Sequence, residues 1–486
     1  MTLQTKVGRA GARKTSAARL ALASMIAALF GGASAPAAAE VLDSLLERLR
    51  AKGVISQPEY DQLRGEMRAE QDKQKKTAAD TGTVKFRDGL SLESADGRHA
   101  ISVSGRIHAD YRSFSNDSGT AAAANAGSAD TFDVRRAYLG LSGRFYRDWS
   151  FAVNADFAQG GSALDVAWLN YGGFRPAQIM VGQFKMPFSL EELTSSRFID
   201  FQERTFANAL VPGKERGIMV HGAPLTGLYY GLALSNGQGK NANEPNAAVD
   251  DKDVIGRLAV NVAQMIGNKD AVLHLGGGLT RGKLPMAAAP SGRTEGRGLT
   301  FFTPAAFTGT GAAGVQEMDR ERSGAEMALA WNQFKVQGES VKVNFTGTSN
   351  GGVGYDRDIV SSYLSFNWLI TGEKYADAYR GGAFGAIKPK QEFGRGGGWG
   401  AWELGARYSK WDASDFTATN PAGTGVLGGG LTNKADAWTL GLKWIPNINT
   451  RVYLNYIQTK FDTPVAIVNG TASDEKAITM RAAFYF

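Results

Sequence analysis

The chain has 486 residues with 61 glycines, 10% aromatics, no cysteine and a formal net charge of +7. Without cysteine there is no disulfide framework and no thiolate nucleophile or metal ligand. No stretch beyond residue 40 holds the roughly 18 apolar residues that a spanning helix needs. Any membrane insertion is therefore by strands, which must close on themselves because hydrocarbon cannot satisfy the polar groups of a free edge.

Residues 1–39 read as an export signal. Lys6, Arg9, Arg13, Lys14 and Arg19 make the basic start, Leu20 to Phe30 the short apolar core, and Pro36-Ala37-Ala38-Ala39 an Ala-x-Ala cleavage site before Glu40. Those five cations have no anions among them, so removing the segment leaves +2 of the formal +7. A balance so near neutral gives no reason to expect nucleic acid as a partner.

From residue 40 to 82 the pattern is helical and then linker-like. Leu42, Leu45, Leu46 and Leu49 recur at three and four; Gly53 ends that helix. Ser56, Pro58 and Glu59 announce a second helix with a capping box, continued by Tyr60, Leu63 and Met67. Residues 70–82, rich in Lys, Gln, Asp, Thr and Ala, read as a linker. The apolar stripe calls for a partner, either the same segment of neighbouring chains or the other helix of its own hairpin.

Beyond residue 83 the period becomes two. About sixteen alternating runs follow, with one further short run at 83–93, an all-β pattern matching a transmembrane antiparallel barrel over 83–486. Leu228/Tyr230/Leu232/Leu234, Leu364/Phe366/Trp368/Ile370, Trp402/Leu404/Ala406/Tyr408 and Trp438/Leu440/Leu442/Trp444 are the clearest lipid-facing rows, and their aromatic ends suit an interfacial belt. The last run alternates Ile478, Met480, Ala482, Phe484 and Phe486 with Ala477, Thr479, Arg481, Ala483 and Tyr485, and ends on an aromatic as bacterial outer-membrane barrels do. Tyr146-Arg147-Asp148 and Ile445-Pro446-Asn447-Ile448 are tight links, whereas 115–130, 187–215, 237–252, 282–322, 372–398 and 412–432 are long and read as external loops. The 187–215 loop mixes aromatic, charged and apolar residues, a composition able to fold into the lumen and narrow it; the plain alternative is an ordinary outer loop.

Parity turns Arg106, Arg136, Arg144, Arg257, Lys342, Arg407, Lys443 and Arg481 toward water, along with Asp110, Asp156, Glu326 and Glu403. Arginine suits an anion path because its planar fork stays charged and donates two hydrogen bonds to an oxyanion, and a series of such groups passes ions between weak sites. The competing role is bracing, with each arginine paired across strands to a carboxylate. Lys185, Arg197 and Arg204 extend the cationic set into the 187–215 loop, where Glu191, Glu192, Asp200 and Glu203 balance them. A catalytic reading is thin. Of the four histidines, His108 shares a strand face with the carboxylate of Asp110, and no Gly-x-Ser-x-Gly, metal-spaced cluster or phosphate-cradling glycine loop is present.

The segments TFDVRRAYLGLSGRFYRDWSFAVNADFA (Thr131 to Ala158), VGQFKMPFSLEELTSSRFIDFQERT (Val181 to Thr205) and PGKERGIMVHG (Pro212 to Gly222) resemble the Porin O/P family of phosphate- and polyphosphate-selective outer-membrane porins. The resemblance implies a sixteen-stranded homotrimeric barrel with inward-folded loops, an arginine-rich anion path and, in some members, an N-terminal coiled coil in the periplasm. Arg135, Arg136, Arg144, Lys185, Arg197 and Arg204 are the basic positions in the matching blocks; Arg135 has outward parity at its strand end. The expectation is a passive porin for anions, phosphate or polyphosphate above all, along Arg106, Arg136, Arg144, Lys185, Arg197, Arg204, Arg257, Arg407, Lys443 and Arg481, in a Gram-negative outer membrane and without a cofactor. The alternatives are a general small-solute porin, a structural barrel tethering the envelope, and a barrel hydrolase using His108 and Asp110.

Overall fold

The computed structural model describes residues 44 and 46–486 except 81, 87–88, 117–127, 159–163, 242–250, 286–289, 305–311, 313–316, 395, 418–426 and 469. The expected export signal lies outside the described residues. The chain divides into two units, Met1–Gly82 and Thr83–Phe486.

In the first unit, helix α1 spans Gln57–Asp80. The backbone N–H and hydroxyl of Ser56 both donate to the Glu59 carboxylate at 2.8 Å, the reciprocal half of a capping box. Tyr60 is buried between the guanidiniums of Arg50 and Arg64. The helix runs on through residues 70–80, where composition had suggested a linker. Glu, Gln, Lys and Ala are strong helix formers, and no Gly or Pro stands there to stop them.

The second unit is a closed antiparallel barrel. Two short strands, β1 (Thr83–Phe86) and β2 (Leu90–Glu93), precede it. Its first half is β3 (Ala100–Phe114), β4 (Thr131–Phe145), β5 (Trp149–Asp156), β6 (Leu164–Tyr171), β7 (Gln178–Lys185), β8 (Lys214–Leu225), β9 (Leu228–Ser235) and β10 (Asp253–Asn261). Then come β11 (Ala271–Pro285), a lumenal hairpin β12–β13 (Gly292–Arg293, Thr300–Phe302), β14 (Glu317–Trp331), β15 (Phe334–Thr348) and β16 (Gly354–Leu369). A second small hairpin β17–β18 (Tyr379–Arg380, Ala383–Phe384) separates these from β19 (Ala401–Asp412), β20 (Lys434–Asn447), β21 (Thr450–Ile467) and β22 (Gly470–Tyr485). One sheet holds eighteen strands; setting aside the short β1 and β2 leaves the sixteen of the wall.

Closure is made by β22 on β3, from Ala477↔Phe114 to Tyr485↔Arg106. The terminal Phe486 continues the ladder, exchanging backbone bonds with Gly105 at 2.7 and 3.1 Å. A Cβ at Gly105 would overlap the Phe486 ring, so glycine makes room for the seal. Below that point β2 takes over the free edge of β3, with Leu90↔Val103 to Glu93↔Ala100. Both sides of β3 are thus paired at the seam.

The outer face carries the expected apolar rows: Ile478, Met480 and Phe484 are exposed, while Ala477, Thr479, Arg481, Ala483 and Tyr485 are buried. Lys342 departs from its expected lumenal place. The two-residue turn between β14 and β15 sets Trp331 opposite Phe334, both outward, so Lys335, Gln337, Glu339, Val341 and Val343 face in. Lys342 therefore lies outside near the long-loop rim, bonded to Asp358 at 2.6 Å.

Gly182 in β7 has φ +118°, and a Cβ there would meet the backbone of Ala167 and Trp168 on β6. The kink allows consecutive Gln183 and Phe184 both to be buried. Gly182→Ala is expected to destabilise the barrel by about 1–3 kcal/mol through backbone strain and forced separation of two strands. The measurement is the temperature at which the compact folded band is lost on unboiled gels. An unchanged temperature would show that the kink is relaxed at no cost.

The long connections fold inward from both ends. The β7–β8 loop, 186–213, enters from the long-loop rim with Phe188, Leu190, Phe206 and Leu210 buried. The β11–β14 connection also enters there, burying Leu299, Phe301 and Phe302 beneath Trp411 and Phe416. Its alternation-free, Gly-rich sequence had read as external; three adjoining large apolar residues are what draw it inside. The β16–β19 connection, 370–400, had also read as external. It leaves β16 at the same rim as the turns 146–148, 332–333 and 448–449, and buries Tyr375, Tyr379, Phe384 and Ile387 in that mouth. Strand order decides this, since alternate links of an up-and-down barrel share a rim.

Candidate functional site: an arginine-lined lumen

The β7–β8 loop is fastened by charges and caps. Ser189 caps a one-turn helix, Leu190–Leu193, by accepting from Glu192 N–H at 3.2 Å. Wall residue Glu339 accepts from Ser189 Oγ and Glu191 N–H at 2.6 Å each and from Tyr363 OH at 2.8 Å. Inside the loop Arg204 donates to the carbonyls of Glu191, Glu192 and Thr194 at 3.0, 3.2 and 2.8 Å and pairs with Glu192 at 3.4 Å. Lys185 donates to the carbonyls of Glu192 and Thr194. These two cations thus hold the loop's shape.

Most of the other inward cations are also braced. Arg257 bonds Glu326 at 2.8 Å and the Gly382 carbonyl at 3.2 Å. Arg407 bonds Glu295 at 2.6 Å, and Lys443 lies 2.9 Å from Glu403. Arg144 sits at the tight-turn rim, 44% exposed, against Glu93 at 2.7 Å. Parity also makes Arg320, Arg322 and Lys335 inward, though the sequence reading passed over them. Arg320 and Arg322 share Asp253 at 2.6 and 3.2 Å, and Lys335 bonds Asp200 of the inserted loop at 2.6 Å. A small cavity of about 20 Å³ lies between the loop and the wall, lined among others by Glu191, Asp200, Lys335, Phe384 and Arg407.

The wall from β21 through β22 and β3 to β4 is different. Arg481 forms a two-pronged bond to Asp110 at 2.7 and 2.8 Å and reaches Glu203 at 2.8 Å. Arg112, also passed over in the sequence, bonds Asp110 at 2.6 Å and Glu203 at 3.2 Å. Arg135 joins them, 3.0 Å from Glu203. Its predicted outward parity is wrong because β4 carries a bulge: His108 pairs with Arg136 and Ala109 with Val134, leaving Arg135 as the extra residue. Phe132 and Val134 face out at even positions, Leu139 and Leu141 at odd ones, so the parity change itself was readable. Burial pushes the Glu203 carboxyl up, but Arg135, Arg481 and Arg136 more than reverse this and hold it well below the usual carboxylate range. Its ionic contribution is present above the unfolded carboxylate value and lost only as pH falls through that lowered native value.

Toward the tight-turn rim from this cluster the carboxylates give out. Arg106 donates to Ser196 Oγ and stacks 4.1 Å from the Tyr138 ring, without a carboxylate partner. Arg136 makes no hydrogen bond or ion pair among the described residues, and one of its terminal nitrogens is buried without a partner. Arg451, absent from the sequence-based set, lies over Phe198 and Tyr485 at 5.0 Å each and donates to the Ile448 carbonyl. Arg197 also approaches the Tyr485 ring, at 5.7 Å. Several inward residues on β4–β7, including Arg136, Tyr138, Asn154, Asp156 and Met180, are half-buried, while Ala152, Asp165, Asn170 and Gln183 on the same strands are buried, as are Glu403, Arg407, Thr439 and Asn455 on β19–β21. The half-buried stretch of the inner wall includes Arg136 and Tyr138, against whose ring the buried Arg106 lies.

The hydrolase alternative finds no support in this geometry. His108 is fully buried against Tyr485, and neither ring nitrogen has a hydrogen-bond partner, so Asp110 does not orient it as a base.

The family of phosphate-selective porin O and P matches residues 101–486. Porin O of Pseudomonas aeruginosa is 25% identical over 413 residues, 81% of this chain and 89% of its own length. An uncharacterised Caulobacter vibrioides protein is 34% identical over 108 residues, 22% of this chain and 19% of its own. Among solved structures, the channel DcaP of Acinetobacter baumannii superposes with a TM-score of 0.48 at 11% identity, covering 84% of this chain and 100% of that one. An anion-selective porin from Comamonas acidovorans gives 0.47 at 12%, covering 80% and 100%. On the sequence match over most of its length, this chain belongs to the family of phosphate-selective porin O and P.

Proposed function

We propose that this outer-membrane porin is a passive, anion-preferring channel and that inorganic phosphate or polyphosphate is its favoured solute. The observation that carries the reading is the pair Arg106 and Arg136, neither of which is hydrogen-bonded or ion-paired to a carboxylate among the described residues. A permanent positive charge in a narrow, low-dielectric passage attracts anions and repels cations, and planar forks match tetrahedral oxyanions. Above them, Arg112, Arg135 and Arg481 form the entry. Of the remaining seven cations of the expected path, Arg197 lies against the Tyr485 ring beside Arg451, and Arg144, Lys185, Arg204, Arg257, Arg407 and Lys443 act as braces of the wall and the inserted loops.

The same reading assigns the long-loop rim to the outside and the tight-turn rim, with β1 and β2, to the periplasm. Residues 1–39 are removed on export, α1 stands in the periplasm, and three copies assemble. Reversal potentials in planar bilayers under a potassium chloride gradient test the proposal. The expected sign is that of chloride permeation, with chloride current falling as phosphate is added. A cation-preferring potential would end the anion reading; chloride preference without inhibition by phosphate would remove phosphate alone.

A further inference from the structure

The cluster around Glu203 has a geometry that bracing does not require. A single oxygen, Oε1, takes all three guanidinium bonds, from Arg481 at 2.8 Å, Arg135 at 3.0 Å and Arg112 at 3.2 Å. The donors come from three neighbouring strands, β22, β4 and β3. A structural Arg–carboxylate pair prefers two parallel bonds to two oxygens, as Arg481 makes with Asp110. Three forks converging on one point instead suit an oxygen of a compact multivalent oxyanion.

The donors are also held without Glu203. Asp110 fixes Arg481 and Arg112, and the bulge fixes the backbone of Arg135. The loop backbone is pinned independently: Arg481 donates to the Gln202 carbonyl at 2.5 Å and Arg407 to that of Glu203 at 3.1 Å. The Glu203 side chain is attached through freely rotating bonds and is 13% accessible, so the carboxylate can swing toward water while the loop stays in place.

We propose that the Glu203 carboxylate is a tethered substitute for the permeating anion, occupying a site formed by Arg112, Arg135 and Arg481 that inorganic phosphate takes when the carboxylate swings aside. Glu203 thereby sets the channel's affinity for multivalent oxyanions. A tethered competitor keeps the guanidiniums ordered when the pore is empty. It also weakens phosphate binding enough for release, as conduction demands. The inference rests on the anion-channel reading above.

The test is phosphate inhibition of chloride current through Glu203→Gln porin in planar bilayers. The amide keeps the shape and removes the competing charge. The half-inhibiting phosphate concentration is expected to fall about tenfold or more while chloride current without phosphate persists; a merely structural role for Glu203 would not tighten binding. Glu203→Asp, whose shorter tether draws the carboxylate back, should give an intermediate shift, and it decides the matter if the glutamine variant fails to insert. Unchanged or weaker inhibition in the inserted variants, with chloride preference retained, overturns the tethered-anion proposal and leaves the anion channel standing. A cation-preferring reversal potential in the unmodified protein overturns both.

Discussion

Arg481→Ala is expected to cost the folded barrel about 3–5 kcal/mol, the usual penalty for breaking a buried ion pair from one side. Arg481 is almost fully buried and joins Asp110, Glu203 and the Gln202 carbonyl in one fork. Its removal leaves Asp110, itself 3% exposed, with Arg112 as its one remaining partner among the described residues at the seam where β22 closes on β3. It also unfastens the inserted loop, so single-channel currents should become larger and noisier. Urea midpoints in lipid vesicles measure the first effect and bilayer recordings the second. If the variant unfolds at the wild-type midpoint, Arg481 is solvated in the pore and the seam is held by its backbone ladder alone.

Replacing Arg106 and Arg136 together by glutamine is expected to lower the anion-to-cation permeability ratio by about tenfold or more. A unit charge about 5 Å from a passing ion at an effective dielectric near 20 is worth roughly 3 kcal/mol, and screening by salt leaves a fraction of that. Neither arginine is hydrogen-bonded to a carboxylate among the described residues, so the change removes charge without breaking an ion pair. The contrasting change is Arg257→Gln. Arg257 is locked to Glu326 and a loop carbonyl, so its loss should appear in stability far more than in selectivity. Reversal potentials at low and physiological ionic strength measure both. A permeability ratio that follows Arg257 and ignores Arg106 and Arg136 would place the ion path on the opposite wall.

The sixteen strands were legible because alternation is a property of adjacent residues: each pleat sends Ile478 and Met480 one way and Thr479 and Arg481 the other, whatever lies across the ladder. The Ser56–Glu59 cap was legible for the same reason, being a contact across three residues. The inward turn of Arg135 was legible in principle, from the parity change between Val134 and Leu139, but it was not read. Lys342 was misplaced where a run of alternating polar residues gives no apolar row to count from, and only pairing with β14 sets the register.

Local pattern thus determined the wall, its closure on an aromatic terminus and the sign of the charges turned inward. Tertiary structure decided which of those charges are spent on carboxylates and which are left over. Arg481 meets Asp110 across 371 residues, Arg407 meets Glu295 across 112, and Lys335 meets Asp200 across 135. It likewise decided that the connections at 186–213, 290–304 and 375–387 bury their aromatics inside the barrel instead of standing in water. Pairing and insertion depend on distances in space that closing the sheet creates, and no spacing along the chain encodes them.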